Sequence, residues 1–570
     1  VDQITRRRFL HTAAAGSAAL GAAAYLPAGA GALSRRHARA LRTPDSLPFP
    51  ALAAGQPTGA FPFEHIVMVM QENHSFDNYF GMLPRRGQPL ADGFTFNAAG
   101  QPVNSNPYGG GIVYVERAPT LCQPTDITQS WDATHDEVND GAMDGFGIVD
   151  QGQMYYYDQP DIPFYYSLAN AFCLANRWFC SVQAQTYPNR RFYLAGSAYG
   201  AISSDLADVT QSPPNGTLVD RLNQYGITWK DYFVDVPQTS IIFEIPEKNP
   251  GNMAPIAEFF ADCAAGTLPS VSWVSSEIGA LYALGGELPS TIPIGNGVND
   301  YVQAQNQDEE NPANIQIGES FVAGIVDAVL KSPAWDKTLL VWLYDEHGGY
   351  YDHVPPPAAV APDNIPPDIS SSDYQAGYDV YGVRVPAVVA SPYSVAHGVS
   401  NTVCDHTSLL ATIEAQWNLP ALTHRDANAN TIASFLQATP TLLEPPTLAS
   451  PGLLTDSETQ CSTADPHLTV HATPVSSVQA FYKGRDPKLQ GLIVQLHTTS
   501  GSLESVAVEL LKGTKVVASA TLGTLTSQTA QVVLHEPAHR KGKRVPNGAY
   551  TLRVTADGLT WLRQSIRVTG

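Results

Sequence analysis

Two uninterrupted apolar runs dominate the hydropathy pattern, residues 66–70 (IVMVM) and residues 339–344 (LLVWLY). Each has the length of a strand, and neither alternates with polar positions, so each is predicted to be buried on both faces of a sheet. Each breaks abruptly into polar side chains. The first is followed by Gln71-Glu72-Asn73-His74-Ser75, the second by Asp345-Glu346-His347-Gly348-Gly349. In open α/β sheets, ligands gather at the carboxyl ends of strands. For one strand alone, a solvated loop is the simpler explanation of such a boundary. Two strands that both end in adjacent oxygen-bearing side chains predict one shared cation or phosphate site.

The remaining pattern alternates in the manner of βαβ units. Residues 76–80 are expected to open a short helix, and 84–130 to form long loops over the active edge. A strand is predicted around residues 178–182, a helix over 216–225, strands at 228–233 and 270–274, and a helix over 256–264. Residues 314–330 carry apolar positions at helical spacing and should pack on the sheet. Residues 385–390 read as another buried strand. Asp405 is a plausible cap for a helix running to about Trp417. Residues 279–307, punctuated by glycine and proline, read as a loop or lid. Beyond about residue 465 the texture becomes short strand-like runs (492–496, 506–511, 516–522, 530–534, 549–555), with Lys512–Lys515 as a hairpin turn. A β-sandwich of roughly 100 residues is the natural reading. The basic stretch 539–544 is by default a solvated loop.

At 570 residues the chain exceeds one ordinary core, so two or three domains are expected. The assigned boundaries are 1–40 for an export signal, 41–62 for a linker, 63–445 for the catalytic domain, 446–465 for a second linker and 466–570 for the β domain. The signal reading rests on Thr5-Arg6-Arg7-Arg8-Phe9-Leu10 ahead of an Ala/Gly-rich run. That pattern resembles a twin-arginine signal, so export to the medium or the cell surface is expected. A formal net charge of −21, from 32 Lys+Arg against 53 Asp+Glu, argues against nucleic-acid binding and against simple attraction to anionic lipid. It is compatible with a zwitterionic lipid or a small phosphorylated substrate and with peripheral membrane contact; a monomer is expected. Six cysteines (122, 173, 180, 263, 404, 461) show no zinc-like spacing. Cys173 and Cys180 suit either a tight bridge or two buried thiols.

Candidate chemistry concentrates in a few further places. Thr186 precedes Pro188, where a helix can begin, so its hydroxyl is either an N-cap or a nucleophile. The same helix start would present N–H groups to an anion. Arg190 and Arg191 suit phosphate neutralisation or helix-surface ion pairs. His135 lies in a polar stretch and suits a ligand, a general acid or a structural histidine.

QENHSFDNYFG, QTYPNRRFYLAG, YDEHGGYYDHVPPP and CDHTSLLATIE, taken in order, resemble the bacterial phosphoesterase family of phospholipases C and related acid phosphatases. The resemblance spans roughly residues 63–417. It implies an α/β/α sandwich of alkaline-phosphatase type, here with a small C-terminal β-sandwich domain. It also implies a divalent cation (Ca, Mg or Zn) held by Glu72, Asn73, Thr186, Asp345 and Glu346. Thr186 takes the nucleophile position and His135 that of leaving-group acid or phosphate donor, while Asn311, His347, His353 and Arg190 fall to substrate binding. Oxygen ligands suit a hard cation, which would also favour the alkoxide of an otherwise poor threonine nucleophile. One departure stands out: Glu310-Asn311-Pro312 replaces the usual Glu-His-Pro, and an amide cannot carry a proton. The expected activity is phospholipase C on phosphatidylcholine-like diesters, with acid phosphatase as the alternative. A sulfatase is disfavoured, because no Cys/Ser-x-Pro-x-Arg motif is present. A non-catalytic binding protein that has kept the fold is the reading from a different class.

Overall fold

The computed structural model describes residues 41–452, apart from 109–110, 123–126, 148–150, 205–209, 235, 277–291, 294–300, 303–306 and 312. Beyond them it describes the strands 478–479, 492–496, 502–512, 515–526, 530–534, 548–556 and 559–569. The export signal, most of the 279–307 loop, most of the second linker and the basic stretch 539–544 lie outside the described residues.

The first unit is built on an eight-stranded sheet. Its strands are β1 (His65–Gln71), β2 (Cys173–Ala175), β3 (Trp229–Phe233), β4 (Met253–Pro255), β5 (Val271–Ser275), β6 (Thr338–Tyr344), β7 (Ala387–Ala390) and β8 (Gly398–Ser400). Their spatial order is β8-β2-β7-β6-β1-β5-β3-β4, and β7 alone runs antiparallel to its neighbours. Every residue of β6 is buried, as is all of β1 after His65, so both faces of the central strands are covered. This is why they read as unbroken apolar runs. Helices packed against this sheet complete an α/β unit. The helices used below are α1 (Phe76–Phe80), α2 (Trp131–Val138), α3 (Pro163–Ala171), α4 (Thr186–Ala195), α5 (Leu218–Tyr225), α6 (Ile256–Ala265), α7 (Ile315–Leu330) and α8 (Thr407–Trp417). The apolar spacing read in α7 becomes a nearly fully buried helix capped by Asn314, and α5 starts on a capping box between Thr217 and Asp220.

Three local expectations are corrected. The strand expected around residues 178–182 is instead β2 at Cys173–Ala175, second from the edge of the sheet, and residues 178 and 179 make only isolated bridges, to Cys404 and Arg384. Residues 84–130 are not all loop, since Ser105–Tyr108 pairs with Gly111–Tyr114 as a hairpin. The cap of α8 is His406, not Asp405, whose Oδ1 accepts from the Thr407 hydroxyl at 2.6 Å and Oδ2 from the Ser181 hydroxyl at 2.8 Å.

The second unit, from Gln460 onward, contains a five-stranded sheet in the order 478–479, 559–569, 548–556, 502–512, 515–526, and a two-stranded pair of 492–496 with 530–534. Lys512 pairs with Lys515, which places the expected two-residue turn between antiparallel strands. Strand 559–569 was missed by the sequence pattern. Cys122 is disulfide-bonded, whereas Cys173, Cys180, Cys263 and Cys404 are buried free thiols, so Cys173 and Cys180 are not bridged to each other. No helix among the described residues is long and apolar enough to cross a membrane.

Candidate active site

The parallel pairing of β1 with β6 runs from His65–Thr338 to Gln71–Tyr344. Glu72 and Asp345 are therefore the next residues on two adjacent strands, leaving the sheet at the same carboxyl edge. Asp345 N–H donates to the Gln71 carbonyl at 3.0 Å, and its Oδ1 accepts from Glu346 N–H at 2.7 Å and, more weakly, from Asn73 N–H at 3.4 Å. Glu346 Oε2 accepts from Gly348 N–H at 2.7 Å. Gly348 has φ 63°, and a Cβ there would stand 2.0 Å from the Asn73 carbonyl oxygen. Only glycine lets the second polar loop cross the first this closely.

Arg190, one turn into α4, reaches between the two strand ends. Its guanidinium lies 2.7 Å from Glu72 Oε1 and 3.0 Å from Asp345 Oδ2, and all three side chains are buried. Burial alone would lower the arginine pKa, but these two carboxylates raise it above the usual value. Burial pushes the Glu72 carboxyl well up, Arg190 opposes this, and Asp345, Glu310 and Glu346 add to it. Carboxyl groups outnumber the guanidinium here, with Glu72, Asp345 and Glu346 facing Arg190. Beside them the Asn73 side-chain amide is buried, at φ 71°, with neither its oxygen nor its nitrogen hydrogen-bonded. An orphaned amide and an excess of carboxyl groups among hard oxygen donors fit a divalent cation. Glu72, Asn73, Asp345 and Glu346 are the residues that would hold it. Glu72 also has Asp308 and Glu310 close by, with carboxylate oxygens of all three within 4.8 Å of one another.

Thr186 is the first residue of α4, half-buried, and Gln185 occupies the cap position. The Gln185 side chain does not cap the helix; its Oε1 accepts from Ser204 N–H at 3.1 Å, while Tyr187 N–H donates to the Ser204 hydroxyl at 3.2 Å. Capping therefore does not consume the Thr186 hydroxyl. Pro188 falls in the first turn, where its missing N–H costs nothing. A cavity of about 210 Å³ opens here, lined by Glu72, Gln129, Gln185, Thr186, Tyr187, Ser204, Ile241 and Glu310.

The other residues named from sequence are placed differently. His135, in α2, donates through Nδ1 to the Trp131 carbonyl at 2.7 Å and stacks on Tyr374. Burial lowers its pKa, so the ring is neutral near pH 7. It does not line the cavity. His347 Nε2 lies 2.8 Å from Glu137 Oε2, and burial raises the Glu137 carboxyl to about 7. Asn311 Nδ2 donates to the Tyr350 hydroxyl at 2.8 Å. His353 belongs to another cluster, with Nδ1 2.6 Å from Asp77 and Nε2 3.5 Å from Asp92. Arg384 closes that cluster at 2.9 Å from Asp352 and 3.2 Å from Asp77. Burial would depress the His353 pKa, but the carboxylates win and lift it to about 10. Asp77, Asp352 and His353 thus answer a buried arginine. Sequence reasoning missed Asp308, Glu137 and Gln129. Only Asp308 carried a signal, as the first of three consecutive acids before Asn311.

Buried carboxylates at a sheet edge, a hydroxyl at a helix start and a cavity lined by both Glu72 and Thr186 suit the hydrolysis of a phosphoric ester. The Phosphoesterase family model matches residues 63–420, and the chain belongs to that family. It is 28% identical over 403 residues to non-specific phospholipase C1 of Arabidopsis thaliana, covering 66% of this chain and 71% of that protein. It is 29% identical over 408 residues to phospholipase C A of Mycobacterium tuberculosis, covering 63% and 73%. With non-hemolytic phospholipase C of Pseudomonas aeruginosa it shares 27% over 404 residues, covering 62% and 54%. Among solved structures it is similar to a protein in the alkaline phosphatase superfamily from Vibrio parahaemolyticus, with TM-score 0.30, 10% identity and coverage of 63% and 79%. It is also similar to the phosphonate monoester hydrolase of Agrobacterium radiobacter, with TM-score 0.29, 11% identity and coverage of 66% and 77%.

Proposed function

We propose that the protein is an exported phospholipase C that cleaves a phosphodiester with Thr186 as nucleophile. The observation that carries this reading is the shared cavity of Thr186, Glu72 and Glu310 at the edge where β1 and β6 end. The first step forms a bond from Thr186 Oγ to phosphorus and breaks the bond from phosphorus to the glycerol oxygen. The threonine proton leaves Oγ, and the departing alkoxide takes up a proton as diacylglycerol. Water then attacks the phosphothreonine, releasing the phosphorylated headgroup and restoring the hydroxyl. A divalent cation on Glu72, Asn73, Asp345 and Glu346 would lower the pKa of the hydroxyl and offset charge on the phosphoryl oxygens. Arg190 holds Glu72 and Asp345 apart and oriented, and the start of α4 directs backbone dipoles at the phosphoryl group. His135 lies outside the cavity and its ring is neutral, so the leaving-group proton is drawn from water rather than from this histidine.

The cavity favours a diester over a monoester. Two carboxylates and no basic side chain line it, so a dianionic phosphate is repelled more than a monoanionic diester. Phosphatidylcholine-type lipids meet that requirement, and the relatives are named phospholipases C with no headgroup stated. The test is turnover of p-nitrophenylphosphorylcholine and p-nitrophenyl phosphate side by side, with Thr186→Ala as control. The diester is expected to be preferred, and Thr186→Ala to lose about 10³-fold or more in kcat. Monoester preference reassigns the enzyme to the phosphatases, and undiminished turnover in Thr186→Ala removes the threonine mechanism. Export is checked separately, by following secretion when Arg6 and Arg7 are changed to Lys.

A further inference from the structure

Glu309 takes no part in the chemistry drawn above, yet it is fully buried beside the site. Its carboxylate ends in a cage of phenols: Oε1 accepts from the Tyr165 hydroxyl at 2.5 Å, and Oε2 from the hydroxyls of Tyr79, at 2.5 Å, and Tyr344. These tyrosines come from α3, from α1 and from the last residue of β6. The backbone of Glu309 is left-handed, with φ 74°, a conformation that a non-glycine residue adopts only when its surroundings enforce it. Helix α7 makes room for it at Gly318, where a Cβ would lie 2.2 Å from Glu309 Cγ.

The residues flanking Glu309 serve the site instead. Asp308 and Glu310 bring carboxylate oxygens beside Glu72, and Glu310 lines the cavity with Thr186. The segment is stitched along the end of β1. Gln71 Nε2 donates to the Gln307 carbonyl at 2.6 Å, Glu72 N–H to the Asp308 carbonyl at 3.0 Å, and His74 Nε2 to the Glu309 carbonyl at 3.2 Å. Three carboxylates this close repel one another strongly where water is scarce, so holding them together needs an anchor.

We propose that Glu309 is a positioning residue for the reaction: its tyrosine-held carboxylate fixes the turn at residues 307–311, so that Asp308 and Glu310 stay beside Glu72 and raise its affinity for a cation. This rests on Glu72 being a cation ligand. The experiment uses the full chain stripped of metal and titrated calorimetrically with Ca, Mg and Zn in turn, with turnover followed in parallel. Glu309→Gln keeps the shape of the side chain and removes its charge; it is expected to weaken binding of the activating cation about 10-fold, as loss of an orienting contact behind a metal ligand does. Half-maximal turnover should need about 10-fold more cation, and saturating cation should restore most of kcat. Tyr165→Phe, remote in sequence from the ligands, should weaken binding about 3-fold, and the double variant should be no worse than Glu309→Gln alone.

A merely structural role would lower Tm and leave cation affinity unmoved. That result, or additive losses in the double variant, overturns the proposal, as does a wild-type protein that binds none of the three cations. Should Glu309→Gln fail to fold, Tyr165→Phe alone decides, and unchanged affinity there overturns the proposal. Turnover surviving in Thr186→Ala would sink the threonine mechanism while leaving the calorimetric comparison intact.

Discussion

Arg190 sits where two strand ends would otherwise set bare carboxylates against each other. Its pairs with Glu72 and Asp345 are buried, and removing one partner from such an arrangement leaves uncompensated charge in a poor solvent. Arg190→Met is expected to cost about 3 kcal/mol or more in unfolding free energy. A divalent cation should then raise the variant's Tm more than it raises that of the wild type, because it replaces the missing positive charge. Equal cation-induced shifts would dissociate Arg190 from the cation position. His353 makes a prediction of opposite kind. Its folded pKa of about 10 lies above the ordinary histidine value of 6.5, so its contribution to stability is complete below about pH 6.5 and fades as pH rises through 10. Wild type should exceed His353→Gln by on the order of 2 kcal/mol at pH 6, with the gap closing by pH 10.5 in denaturant melts. From sequence, Arg190 was open between phosphate neutralisation and a helix-surface ion pair. Helical spacing does not reveal that its reach ends between two strands 118 and 155 residues away in the chain.

The strand ends themselves are where local pattern was most informative. Continuous burial of β1 and β6 leaves a run of apolar side chains with no polar interruption, and the change to acid and amide marks the edge of the sheet. The loops beyond are held by contacts that a single methyl group would break. Gly348→Ala places a Cβ against the Asn73 carbonyl and forces a left-handed backbone on an alanine. It should cost about 2 kcal/mol in stability and weaken cation binding, since Asn73 has to move; an unchanged calorimetric titration would show that Asn73 is no ligand. Short elements were not legible in the same way. A three-residue strand such as β2 has no period to detect, and the reversed direction of β7 is invisible in its composition. The hairpin of Ser105–Tyr108 and Gly111–Tyr114 carries exposed Tyr108, Ile112 and Tyr114, so it lacks the inward-facing signature by which strands are recognised.

The chain divides into two compact units, and the site described here belongs to the first. The disulfide at Cys122 provides a covalent restraint, while the four free thiols are buried. Reduction, or Cys122→Ser, is expected to lower stability by about 2–4 kcal/mol, measured as matching Tm shifts, and the free thiols should resist a thiol reagent until the protein unfolds. Prompt labelling of the four thiols in the native state would contradict their burial.

Apolar runs that end in acids and amides depend on burial and solvation at each position, which are local properties. Composition and order therefore suffice to locate the sheet edge where the acids gather, the Thr186 helix start and the β-rich C-terminal unit. Which carboxylate faces which cation depends on distances between segments far apart in sequence, and no local property encodes those distances. So the pairing of Arg190 with Glu72 and Asp345, the withdrawal of His353 into the Arg384 cluster, the tyrosine cage of Glu309 and the crowding of Asp308 and Glu310 against Glu72 emerged only from the packed chain. Close packing leaves a charged side chain few places to go, and it is this enclosure that assigns each its partner.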